Sequence, residues 1–168
     1  TSRGLGDVYK RQHKQYEYAI FILKKFLEEP DGWIENKLNS CLVLSCCYQA
    51  MGENAAAFDI LFYSFTMDVP RAEICCEIGR LFMEKKEYVT AAYWYQQALL
   101  APRKKKNGGF YIADSHNFIP AIQMCVCLDK AGRHREAFEF HKKARVLKPL
   151  HQAVIGNEKY FRDVWGME

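Results

Sequence analysis

Between Ala72 and Pro102, in AEICCEIGRLFMEKKEYVTAAYWYQQALLAP, the apolar positions form two runs of helical period. Ile74, Ile78, Leu81 and Phe82 step by four, three and one, which places them on one face of a helix. After Lys85-Lys86-Glu87, Tyr88, Ala91, Tyr95, Ala98 and Leu99 follow the same rule. Gly79, Ala91 and Ala98 are small where two helices must approach closely; Phe82, Tyr88 and Tyr95 are large where gaps must be filled. Pro102 closes the second run, because it cannot continue a helix. The pattern predicts an antiparallel helix pair.

The pair recurs along the chain. Tyr16, Ala19, Leu23 and Phe26, closed by Pro30, repeat the second helix alone and define a half repeat over 13–30. Asp31-Gly32-Trp33 is a turn signal. Over 36–70, Leu44, Tyr48, Gly52, Ala57, Leu61 and Ser64 fall in frame, with Met51–Asn54 as the turn and Gly52 as the C-terminal cap. The next repeat is 71–102, and Ala91 follows Ala57 by 34 residues. The next equivalent alanine, Ala137, comes after 46, so about 12 residues are inserted between Pro102 and Phe118. The frame resumes over 118–149, with Met124, Cys125, Leu128, Gly132, His134, Ala137, His141 and Ala144 in register. A last helix over 151–165 is expected to turn Ala153, Val154, Asn157 and Phe161 inward as a cap. The Ile-Gly pair, the aromatic three residues on, the Ala-x-x-x-Tyr-x-x-Ala run, the closing proline and the 34-residue period resemble a tetratricopeptide repeat (TPR). That resemblance implies an all-α fold: a TPR-like right-handed α-solenoid of antiparallel helix pairs with a C-terminal capping helix.

Ser2–Gln12, SRGLGDVYKRQ, reads as a translated sequencing-library adapter, with a genuine flexible N-terminal tail as the alternative. Residues 1–12 are therefore expected to be non-native and to stand where the first helix of the half repeat belongs. Those residues hold Arg3, Lys10 and Arg11 against Asp7, so they carry +2 of the formal charge of +4 and leave +2 for the rest. A balance that small gives no reason to expect nucleic acid or an anionic membrane as partner. No apolar run is long enough for a transmembrane helix. The seven cysteines, an odd number on predicted helices, read as small buried apolar residues in a reducing cytoplasm rather than a disulfide framework.

Signals for chemistry are few. The sequence has no Walker loop, no dinucleotide-type glycine fingerprint, no HExxH and no GxSxG. No cofactor, metal site or catalytic residue is expected in these residues. Cys75-Cys76 and Cys125-Val126-Cys127 lack the separation usual in structural zinc sites, so buried thiols are the reading preferred over zinc. His134 and His141 occupy frame positions that are aromatic elsewhere and read as packing residues. Tyr93-Trp94-Tyr95 can stack on sugar or peptide, with core packing the simpler reading. Arg103–Gly109 reads as a solvated basic loop, with a phosphate-rich ligand as the alternative. TPR arrays use the concave face lined by first helices, and one face off the buried frame holds the candidate partner-binding residues. They are Asn39, Leu42, Cys46 and Gln49; then Glu73, Cys76, Arg80 and Met83; then Ile122, Val126 and Asp129. Arg80 is singled out because a guanidinium can bind carboxylate in a bidentate manner.

Two stretches narrow the resemblance. PRAEICCEIG with AYWYQQA, and FIPAIQMCVCLDK with the terminal NEKYF, resemble the C-terminal helical-repeat region of bacterial family 2 glycosyltransferases. In that family a GT-A catalytic domain, which binds a nucleotide-sugar and a divalent metal, precedes the repeats. The resemblance implies a non-catalytic scaffold that recruits acceptor, packs on the upstream catalytic domain or oligomerises. None of the matched positions is catalytic in the family. The alternatives are a free-standing TPR adaptor that binds a peptide or partner protein, and a structural dimerisation module.

Overall fold

The computed structural model describes residues 2–102 and 111–167, with side chains from Gln12 onward. The basic loop Arg103–Gly109 lies outside the described residues. The fold is all-α, with eight α-helices among the described residues. They are α1 (Ser2–Glu28), α2 (Ile34–Ala50), α3 (Asn54–Tyr63), α4 (Ala72–Glu84), α5 (Tyr88–Leu100), α6 (Phe118–Lys130), α7 (His134–Leu147) and α8 (Gln152–Trp165). The chain divides into two compact units, Thr1–Val69 and Pro70–Glu168.

In the first unit α1 packs on α2 and α2 on α3. Leu27, Cys41 and Leu44 form its buried centre, with Ile20, Leu23, Tyr48, Ile60 and Met67 against them. The helix expected from residue 13 is part of a longer one that begins at Ser2. Lys37 on α2 donates to the carbonyls of Leu27 and Glu29, which satisfies the end of α1 and adds positive charge where the helix dipole is negative. Tyr18, Phe21 and Ile22 leave an apolar stripe of α1 exposed.

In the second unit the contacts join sequential neighbours: α4 with α5, α5 with α6, α6 with α7 and α7 with α8. Tyr95, Cys125, Leu128, Ala137 and Phe161 belong to one buried cluster. Phe118, Ala121, Ile122, Ala144 and Val154 form a second. The helix expected over 151–165 is α8, with Val154 and Phe161 buried. Ala153 differs and faces solvent, because it sits in the first turn, where its N–H is capped by the His151 ring.

The second helices carry one frame three times. Ala57, Ala91 and Ala137 are buried, as are Leu61, Tyr95 and His141, and Ser64, Ala98 and Ala144. The turns that precede them are also alike. Gly52, Lys86 and Gly132 have φ of 78°, 62° and 78°. The next N–H reaches back five residues each time: Glu53 to Tyr48, Glu87 to Phe82 and Arg133 to Leu128, at 2.8, 2.9 and 2.8 Å. This is the Schellman ending, which favours glycine at the left-handed residue. Lys86 holds that conformation against its own Cβ. Lys86→Gly is expected to raise the unfolding free energy by about 1 kcal/mol, measured by urea denaturation, since glycine removes the left-handed strain.

Candidate functional site

The candidate residues fall on the first helix of each pair. In the first unit, Asn39, Leu42 and Gln49 are half-buried and Cys46 is exposed, all on α2. The Gln49 amide donates to the Ser45 hydroxyl at 3.1 Å, which fixes its orientation. These residues share a helical face and present mixed polar and apolar chemistry.

On α4 the structure separates the candidates into two groups. Glu73 and Cys76, expected to face a partner, are both 8% exposed. The inserted segment that follows Tyr111 folds over them through a short 3₁₀ turn, Ala113–His116. The Ile112 N–H donates to the Glu73 carboxylate at 2.9 Å, and the Cys76 thiol donates to the Ser115 carbonyl at 3.5 Å. The His116 ring lies 3.7 Å from the same carboxylate and stacks on Tyr111. An exposed position for Glu73 and Cys76 is therefore corrected: the frame locates the face, but the insertion covers its first turns. A buried carboxylate needs hydrogen-bond donors, and a backbone N–H supplies one here.

Further along α4, Arg80 and Met83 are half-buried. The Arg80 guanidinium is engaged by its own helix. It donates to both oxygens of Glu77, at 2.9 and 2.5 Å, and to Glu84. This is the bidentate geometry expected of it, directed at neighbours three and four residues away. An incoming carboxylate has to compete with two resident ones. Met83 receives the Tyr95 hydroxyl on its sulfur at 3.5 Å, so this candidate also serves packing.

Asp129 has a larger role than its place in the pattern suggests. Its carboxylate accepts from His134 Nδ1 at 2.7 Å and from the Tyr160 hydroxyl at 3.0 Å, which ties α6 to α7 and α8. The Tyr160 oxygen in turn accepts from the Trp165 indole at 3.2 Å, and Trp165 stacks on His134 with ring centroids 3.8 Å apart. Beside this network Val126, Asp129, Asn157 and Tyr160 line a cavity of about 200 Å³ between α6 and α8. Ile122, the remaining candidate on α6, is buried in the core. Tyr160 and Trp165 have no counterpart in the repeat frame. The signal available for them was an aromatic pair five residues apart on a helix expected to cap the array.

The buried thiols do not offer reactive chemistry. Six of the seven cysteines, Cys41, Cys47, Cys75, Cys76, Cys125 and Cys127, are buried thiols. Burial pushes the Cys75, Cys125 and Cys127 thiols up to about 12 and Cys41 up to about 11. Such groups stay protonated at neutral pH, when a nucleophile or metal ligand must be thiolate. Among the described residues no group of three or more His, Cys, Asp or Glu is placed to hold a metal. Trp94 packs half-buried against the core and edge-on to Tyr93, which is exposed.

His141 is fully buried, and neither ring nitrogen has a hydrogen-bond partner. It lies between Phe138 on α7 and Phe161 on α8. Burial lowers its pKa; Glu158 opposes that and Arg145 adds to it. The fold thus prefers the neutral ring, so stability is full above pH 6.5 and falls as the unfolded chain gains a proton below it. His141→Leu, the residue in frame at Leu61, is expected to add about 1 kcal/mol at pH 7 by removing two unsatisfied polar atoms. Its advantage over the natural chain should widen from pH 6.5 to 5 in urea titrations; a constant advantage would remove the buried histidine as the cause.

The face that holds these candidates is chemically mixed. It offers a charged cluster at Arg80, half-buried apolar positions at Met83 and Val126, and a hydrogen-bonded rim at Asp129. Among the described residues no helix is long and apolar enough to cross a membrane. Compared with known proteins, the chain matches no family model and no curated protein.

Proposed function

We propose that the chain is a TPR-like right-handed α-solenoid that serves as a non-catalytic interaction scaffold. The observation that carries this reading is the threefold recurrence of one turn and one buried frame. Gly52, Lys86 and Gly132 are each followed five residues later by a buried alanine, Ala57, Ala91 or Ala137. Units of this kind bury a continuous core by stacking and leave their first helices free to meet a partner. The wording of PRAEICCEIG, AYWYQQA and FIPAIQMCVCLDK supports a place as the C-terminal region of a bacterial family 2 glycosyltransferase, in the cytoplasm. There it would hold an acceptor or pack on the catalytic domain that uses the nucleotide-sugar. The test is the uninterrupted reading frame upstream of His13. A GT-A domain encoded there is the expected result; a gene that starts shortly before His13 would sink the reading.

The second reading is a free-standing adaptor that captures a peptide, favoured by the part of the α4 and α6 face that the insertion leaves open at Arg80, Met83 and Val126. An acidic peptide retained by the natural chain and lost from Arg80→Ala would support it. Equal retention by both would count against it, since Arg80 is the side chain on that face built for carboxylate.

A further inference from the structure

One segment of the Pro70–Glu168 unit is built inside out. Residues 111–117 carry the 3₁₀ turn Ala113–His116, which packs on α4, α5 and α6. The apolar side chains of this segment, Tyr111, Ile112 and Ala113, are exposed, while its polar Ser115 and His116 are buried. It therefore contributes no apolar side chain to the buried core. Most elements of a fold are anchored by the apolar area they bury. Polar contacts fasten this one instead. The Ile112 N–H meets the Glu73 carboxylate, the Ser115 carbonyl meets the Cys76 thiol, and Asp114 pairs with Lys148 just past the end of α7. The His116 ring lies near the same Glu73 carboxylate, while its stack on Tyr111 stays within the segment.

Contacts of this kind exchange for water at small net cost, because water offers the same donors and acceptors. An ion pair whose two side chains are each 40% exposed, as Lys148 and Asp114 are, adds little. Opening also returns a buried carboxylate to water, which offsets part of the loss. The helices beneath differ: Tyr95, Cys125, Leu128 and Ala137 join α5, α6 and α7 in one buried apolar cluster. Local opening is drawn from the parts of a structure that bury the least apolar surface, so the segment leaves before the helices do. Its departure changes the face of α4. Glu73 and Arg80 are seven residues apart on that helix. That is about 10 Å along the axis, or about three residues of extended peptide.

We propose that residues 111–117 form a gating strap, which swings off α4 while the repeats stay folded and uncovers Glu73 and Cys76 on the first-helix face. The gate rests on the reading of that face as the one that meets a partner; the opening itself needs none. In the open state the partner's main chain supplies an N–H to Glu73 and a carbonyl to Cys76, in place of Ile112 and Ser115. Iodoacetamide labelling of the full native chain, read cysteine by cysteine by mass spectrometry, follows the opening. Cys46, which is exposed, sets the reference rate, and Cys125 and Cys127, which are buried, report unfolding of the helices. Cys76 is expected to react more slowly than Cys46 and faster than Cys125. Ile112→Pro removes the N–H that Glu73 accepts and should raise the Cys76 rate about tenfold. Asp114→Ala removes the tie to Lys148 and should raise it about threefold. The Cys125 and Cys127 rates should not move in either variant. Cys76 and Cys125 rising together would overturn the proposal, since the opening would be that of the whole unit. So would a Cys76 rate that neither substitution changes, or a rise that persists in Cys76→Ser and so belongs to Cys75. These rates are read without a partner, so failure of the gate is told apart from failure of the interaction reading, which the upstream frame and peptide capture decide.

Discussion

Replacing Phe161 by alanine is expected to lower the unfolding free energy by about 3–4 kcal/mol. Phe161 is 1% exposed and belongs to the main cluster of its unit. Its ring lies 5.3 Å from Phe138 and 5.7 Å from His141, so it carries the apolar contact between α8 and α7. Besides Phe161, α8 is held by Val154, by the Arg145–Glu158 ion pair at 2.8 Å, by the Tyr160–Asp129 and Asn157–Cys125 bonds and by the Trp165–His134 stack. Exposed pairs of that kind contribute at most about 1 kcal/mol each, and Val154 is some two turns away, so none of these replaces the lost ring. Urea denaturation checks the magnitude. Hydrogen exchange checks the location, with the amides of α8 expected to lose protection before those of α6. A loss under 1 kcal/mol, or uniform exchange along the chain, would mean that α8 is not an energetic cap.

The second large effect is at Gly79, where leucine is expected to cost about 3 kcal/mol. A Cβ built on Gly79 would lie 3.0 Å from Cζ of Tyr95 and 3.1 and 3.2 Å from its next two ring atoms. Tyr95 cannot withdraw, since it is 1% exposed and its hydroxyl is bonded to Met83. The equivalent positions elsewhere hold Ser45 with Leu61 and Cys125 with His141, all buried. Across these equivalent positions the smallest residue thus goes with the largest side chain. A double-mutant cycle tests this. Gly79→Ser crowds Tyr95, and Tyr95→Leu leaves a cavity; each should cost about 1–2 kcal/mol. Together they copy the Ser45/Leu61 pair, and a coupling of about 1 kcal/mol in favour of the double variant is expected. Strict additivity would show that the ring and the small residue do not constrain each other.

Much of the helical frame was legible because it depends on local periodicity. Ala57, Ala91 and Ala137 could be aligned by counting, and the structure buries all three. The covering of Glu73 and Cys76 was not legible. It is made by backbone groups of Ile112 and Ser115, whose approach from 39 residues away has no periodic trace. The left-handed turn at Lys86 was missed for the opposite reason: the residue that signals it, glycine, is present at Gly52 and Gly132 but not there. The engagement of Arg80 with Glu77 and Glu84 could have been read from their i−3 and i+4 spacing alone. The Asp129–Tyr160–Trp165 network could not, because it depends on how α8 lies against α6.

The pairing of small and large residues across each helix pair also governs how such a chain can be rearranged. The turns at Gly52, Lys86 and Gly132 share one geometry, so they look like natural junctions for exchanging segments between repeats. A crossover there would divorce the partners: Gly79 would come to face Leu61 and leave a void, or Ser45 would meet Tyr95 and clash. A crossover after Pro70 keeps each first helix with its own second helix. The heritable module is then the matched pair rather than the single helix, and shuffled libraries cut between pairs should yield more folded members than libraries cut at the turns.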